Sequence, residues 1–126
     1  MKVMVLAKAT VDSEAGVMPS KELIREMGEF NESLAAAGIM LAGEGLKPSQ
    51  YGKRILLSGK ERIIVDGPFE LKELLGGFWL WQVNSMEEAL DWIKRCPNPT
   101  FPDWQIEIRP VYEPKDFANT SIGESG

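Results

Sequence analysis

The chain has 126 residues, with 14 Lys plus Arg against 19 Asp plus Glu, a net charge of −5, no histidine and one cysteine, Cys96. That length suits one domain with a real core, and 44% hydrophobic content excludes wholesale disorder; missing histidine excludes Ser-His-Asp and Cys-His chemistry, and a lone cysteine excludes an internal disulfide or a cysteine-rich zinc site. An acidic chain without a basic run argues against nucleic acid, no apolar run approaches the ~20 residues of a membrane span, and residues 1–8 are too short for a signal peptide, so a cytoplasmic protein is expected.

Residues 3–8 read as a strand. Val3, Val5 and Ala7 face one way and Met4 and Leu6 the other, so both faces are apolar. Residues 10–18 read as a polar loop. Ser20 is the expected N-cap of a helix, with Glu22 in its first turn. Leu23, Met27, Phe30 and Leu34 share one helix face, and Gly38 stops the helix after three alanines. Gly28 lies inside that helix at up to about 1 kcal/mol relative to Ala, which a close packing contact would explain.

Residues 39–46 read as a second strand interrupted by Gly43 and Gly45. Residues 54–57 and 62–65 form a hairpin about Ser58-Gly59-Lys60-Glu61, and Asp66-Gly67-Pro68-Phe69 is a turn. Residues 70–75 suggest one helical turn before Gly76-Gly77. Residues 78–83 are an aromatic strand, with Trp79, Trp81 and Val83 opposite Phe78 and Leu80. Ser85-Met86-Glu87-Glu88 is a capping box opening a helix to about Cys96, with Met86, Ala89, Leu90 and Ile93 on one side; Pro97 ends it. Residues 104–112 form the last strand. One domain over residues 1–117 and a loose polar tail over 118–126 are expected.

The order β-α-β-hairpin-β-α-β predicts an α+β fold: a ferredoxin-like split βαβ unit with an inserted β-hairpin and an antiparallel sheet. Helices cover one sheet face. The other carries large apolar groups, and its simplest cover is a second copy, sheet against sheet, in a homodimer.

Asp66-Gly67-Pro68-Phe69, followed by Glu70-Leu71-Lys72-Glu73 and Gly76-Gly77-Phe78, resembles the signature of YCII-related proteins of the DGPF-domain type. Segments 37–49, 87–97 and 106–111 resemble the same family in the same order, and residues 8–19 are similar to one subgroup. The likeness reaches about Phe117. It implies a dimeric α+β barrel built from ferredoxin-like protomers. It does not imply a defined activity: members are bacterial, most are uncharacterised, and some lie beside sigma-factor genes. The wider superfamily includes a dehydrochlorinase and oxygenases acting on small aromatic compounds. Family members with a proposed catalytic centre use a His-Asp pair. Relatives often carry histidine where this chain has Lys47, so that mechanism is out of reach here.

Asp66 is either a general acid/base beside apolar surface or a turn residue accepting backbone amides. Glu44, between two glycines, is either a ligand contact or a solvated strand residue. Glu44, Lys47, Ser49 and Asp66 are candidates to converge on one pocket mouth. Arg109 either clamps an anionic ligand or pairs with a carboxylate. Trp79 and Trp81 either stack on a ligand or belong to the core or interface. Cys96, without a partner base, reads as a plain buried thiol. No cofactor fingerprint or calcium-loop spacing is present. Three functions compete. One is a protein binding a small, partly apolar molecule in a cleft. Another is a cofactor-free lyase or isomerase with Asp66 as acid/base. The third is a regulatory protein-interaction module.

Overall fold

The computed structural model describes residues 1–98 and 103–118, so the expected tail beyond Ala118 lies outside the described residues. Strand β1 (Lys2–Lys8) lies between β5 (Leu75–Gln82) and β6 (Ile106–Pro110). Strand β2 (Met40–Gly45) pairs with the far side of β5. The sheet order is β2-β5-β1-β6 with every neighbour antiparallel. Helix α2 (Lys21–Ala36) connects β1 to β2, and α3 (Met86–Ile93) connects β5 to β6. This is the ferredoxin-like split βαβ plan. Strands β3 (Lys53–Ser58) and β4 (Glu61–Asp66) form the inserted hairpin, a separate two-stranded sheet.

Local chemistry sets the boundaries. The Ser20 Oγ accepts from the Leu23 amide at 3.1 Å and opens α2, and Gly38, at φ +72°, ends its last turn. The Ser85 Oγ accepts from the Glu88 amide at 3.1 Å, while the Glu88 carboxylate reaches back to the Asn84 amide at 3.2 Å. Alternation does the rest. Val3, Val5, Trp79 and Trp81 are buried and pack with Phe30 and Leu34 of α2 and Ala89 of α3. The Phe30 ring meets Trp79 edge-on, with centroids 5.9 Å apart and planes at 82°. Met4, Leu6, Phe78 and Leu80 face the other way and stay partly exposed.

Four expectations shift. Residues 10–18 are not all loop. A short helix, α1 (Val11–Glu14), forms because Thr10 and Ser13 cap each other, Ser13 taking the place of the usual Glu or Gln. Strand β5 begins at Leu75, because Gly76 and Gly77 pair within the sheet after a single 3-10 turn at Leu71–Glu73. Leu90 is 43% exposed; the covered side of α3 runs through Met86, Ala89, Trp92 and Ile93. Gly28 has no close neighbour: a Cβ there would meet nothing within 4 Å. No helix among the described residues is long and apolar enough to cross a membrane.

Candidate functional site

Small residues hollow out one end of the sheet. The register aligns Gly45 with Gly77 and Gly77 with Ala7, a row with almost no side chain on the helix-facing side. Gly28 on α2 adds nothing from above. The result is a cavity of about 530 Å³ between α2, the α1 segment and the sheet. That volume lies within the ~300–1,000 Å³ typical of small-molecule sites. Leu23 and Met27 of α2 form its roof, Trp79 and Trp104 its sides, and Val17 and Met18 an exposed apolar lip. A Cβ at Gly45 would also meet nothing within 4 Å, so the space beside the strand is open.

Hydrogen bonds hold the walls. At Gly43 a Cβ would come within 2.6 Å of Trp79 Cδ1, so the indole lies against bare backbone. The Trp79 Nε1 donates to Asn31 Oδ1 at 2.9 Å, which orients the ring and places a side-chain amide on the cavity wall. The Trp104 Nε1 donates to the Lys8 carbonyl at 2.9 Å. The Thr10–Ser13 cap and Asp12 supply polar groups at the lip. The cavity is an apolar slot floored by small residues with a few polar groups at its edge.

The expected site residues do not converge on one place. Trp79 walls the cavity and is also core, packed on Phe30 and Trp81. Glu44 borders the cavity, but it pairs opposite Phe78 and alternates with the inward Gly43 and Gly45, so its side chain belongs to the outer sheet face. Ser49 and Asp66 stand at the root of the hairpin. The Ser49 Oγ donates to the Glu14 carboxylate and accepts from the Phe69 amide at 2.9 Å, and the Ser49 amide donates to Glu14 at 2.9 Å. Asp66 is 74% exposed and its carboxylate accepts from the Lys53 ammonium at 2.6 Å. Lys47 stands apart, its ammonium 6.0 Å from the Tyr51 ring centre. Arg109 is 71% exposed, with its Nε 3.7 Å from Glu107. Lys47, Ser49, Asp66 and Arg109 do not line the cavity.

The signature turn has a structural logic of its own. Gly67 lies directly on the Ser49 carbonyl, where a Cβ would overlap backbone, and its amide donates to the Gly52 carbonyl at 3.1 Å. The Gly67–Pro68 bond is cis. The Phe69 ring carries the Arg54 guanidinium 4.0 Å from its centre. Ser49 thus joins three segments: Glu14 beside the cavity wall, the β2–β3 connection and the turn after β4.

Sequence reasoning missed Asn31, Met27, Trp104 and the open positions Gly28 and Gly45. The signal was Gly28, a helix-interior glycine whose helix-propensity penalty is accepted where a side chain would fill a void.

Cys96 is a partly buried thiol packed against the core. Burial pushes its pKa from 9.0 up to about 12, which keeps it protonated. Between those values the folded chain holds a proton that the unfolded chain has released, so this contribution to stability is lost as pH rises from about 9 towards 12. At pH 9, Ellman's reagent is expected to react with native protein at least 100-fold more slowly than with urea-unfolded protein; similar rates would show an exposed thiol.

A four-stranded antiparallel sheet, helices on one face and a cavity at one end define a ferredoxin-like α+β protein. The chain belongs to the YCII-related domain family, which matches residues 1–115. An uncharacterised protein of Rhizobium meliloti (strain 1021) is 31% identical over 100 residues, covering 77% of this chain and 81% of the relative.

Proposed function

We propose that this YCII-related protein is of the DGPF type and binds a small, flat, partly apolar molecule in the glycine-floored cavity. The observation that carries the reading is Gly28. An interior helix position with open space around it keeps the one residue that leaves the cavity clear. Asp66 lies outside the cavity and is engaged with Lys53, so binding is preferred to proton transfer by that carboxylate. A homodimer packed through the outer sheet faces is part of the same reading. Met4, Leu6, Phe78 and Leu80 form a contiguous, partly exposed apolar surface, and a two-fold partner is the cover that needs no other protein.

The test is a thermal-shift and calorimetric screen of flat aromatic and heteroaromatic compounds. Gly28→Leu and Gly45→Val point new side chains into open space, and both should remain folded. Gly28→Leu should melt higher, by the few tenths to about 1 kcal/mol that leucine gains over glycine in a helix. Any ligand of the wild type should lose at least 100-fold in affinity for both variants. Hits that both variants bind unchanged would place the ligand elsewhere and overturn the reading.

A further inference from the structure

The β3–β4 hairpin is apolar on both faces. Its register puts Ile55, Leu57 and Ile64 on one side and Leu56, Ile63 and Val65 on the other. All six are between 42% and 66% exposed. An isolated two-stranded ribbon is marginal in water, and a long apolar one is a template for association. Yet its root is well tied. Besides the Lys53–Asp66 pair at 2.6 Å, Arg54 reaches Glu73 at 3.2 Å and stacks on Phe69. A ribbon anchored at its base and bare along its length is built to meet a surface outside its own fold.

We propose that each hairpin lies across the Glu44–Glu107 row at one end of the outer sheet face of a second copy of this chain, beside the sheet-to-sheet contact through Met4 and Leu80, so that two arms are exchanged about a two-fold axis. This rests on the dimer proposed above and names the element that closes it. Charge complementarity selects the second copy as the occupant. One row across the outer sheet face runs Glu44, Phe78, Leu6, Glu107 by register, acidic at both ends and apolar between. The hairpin carries the opposite charge at its tip. Lys60 and Arg62 sit beside its tip without an ion pair among the described residues, next to the aliphatic flanks. Lys53, Arg54, Lys60 and Arg62 outnumber Glu61 and Asp66 on the hairpin, while the whole chain carries −5.

Reach and area agree. Six-residue strands extend about 20 Å, enough to cross four strands spaced ~4.8 Å apart. On either face of the ribbon three aliphatic side chains expose on the order of 300 Å², a patch of the size that marks an interaction site. Two hairpins, each laying one face on the sheet it covers, would bury on the order of 1,200 Å², the lower end of a standard interface.

A charge swap tests the arrangement. One variant carries Lys60→Glu with Arg62→Glu, the other Glu44→Lys with Glu107→Lys. Sedimentation should show each dimerising at least 10-fold more weakly than wild type, because like charges meet twice in each homodimer. Mixed together they should form a 1:1 heterodimer of near wild-type strength, since both contacts then pair opposite charges. Circular dichroism checks that each variant is folded. A mixture that does not recover overturns the proposal. So does a hairpin variant that dimerises like wild type; if Leu80→Glu on the outer sheet face then abolishes the dimer, the sheet-packed reading stands and only the arm falls. A monomeric wild type removes both. Hydrogen exchange on the wild-type chain needs no substitution: amides of β3 and β4 should gain protection as dimer forms, and unchanged protection would also overturn the proposal.

Discussion

Trp81→Ala is expected to lower the free energy of unfolding by about 3–5 kcal/mol, read as a shift in the urea midpoint. Trp81 is fully buried, with its ring centroid 6.4 Å from that of Phe30 and 5.9 Å from that of Trp79, so truncation empties the centre of the sheet–helix interface. That loss is a large share of the roughly 5–15 kcal/mol that holds a domain folded. Trp81→Phe separates packing from polarity. The indole Nε1 has no hydrogen-bond partner among the described residues. An unsatisfied buried donor costs about 1–3 kcal/mol, so removing it offsets much of the smaller void that phenylalanine leaves. Trp81→Phe should therefore cost under about 1.5 kcal/mol. Equal costs for the two variants would show that the indole N–H has a partner after all.

Gly67→Ala is expected to destabilise by about 2–3 kcal/mol, a large effect for one methyl group on a turn. The added Cβ overlaps the Ser49 carbonyl, which is backbone and cannot swing away like a side chain. The turn would have to leave Ser49, taking the Phe69 amide from the Ser49 Oγ and the Gly67 amide from Gly52. Because Ser49 also holds Glu14 next to the cavity wall, the variant should raise hydrogen exchange in residues 11–18 as well as in the hairpin. Gly59→Ala in the hairpin turn is the control: its positive φ strains alanine, but a Cβ there meets nothing within 4 Å and the effect should stay within the hairpin. If Gly67→Ala unfolds at the wild-type midpoint, the signature glycine has no packing role.

These two sites show how the chain was legible and where it was not. Helix α2 was readable because Ser20 and Gly38 mark its ends and a 3.6-residue period marks its face. The two-faced apolar pattern of β1 and β5 announced central strands, and their pairing puts them side by side in the sheet. The hairpin followed from a glycine between two β-branched runs. Each signal acts over fewer than about a dozen residues, so a linear pattern carries it.

The candidate site obeys a longer range. Asp66 drew interest as a carboxylate in a signature motif, and the fold gives it Lys53 as partner at the hairpin base. Gly28 and Gly45 come from two different elements, and only β-sheet register with helix packing brings their bare positions around one volume. Glu44 and Gly45 are neighbours in sequence but face opposite sides of the sheet, a separation set by the two-residue period of a strand. The amino-acid sequence by itself determined the family, the main strands and helices, their order and the caps of α2 and α3, because capping, turn conformation and hydrophobic period are local. Tertiary structure decided where the cavity lies and which glycines leave it open. It also decided that the signature turn roots an exposed hairpin, because voids and close contacts arise only between segments distant along the chain.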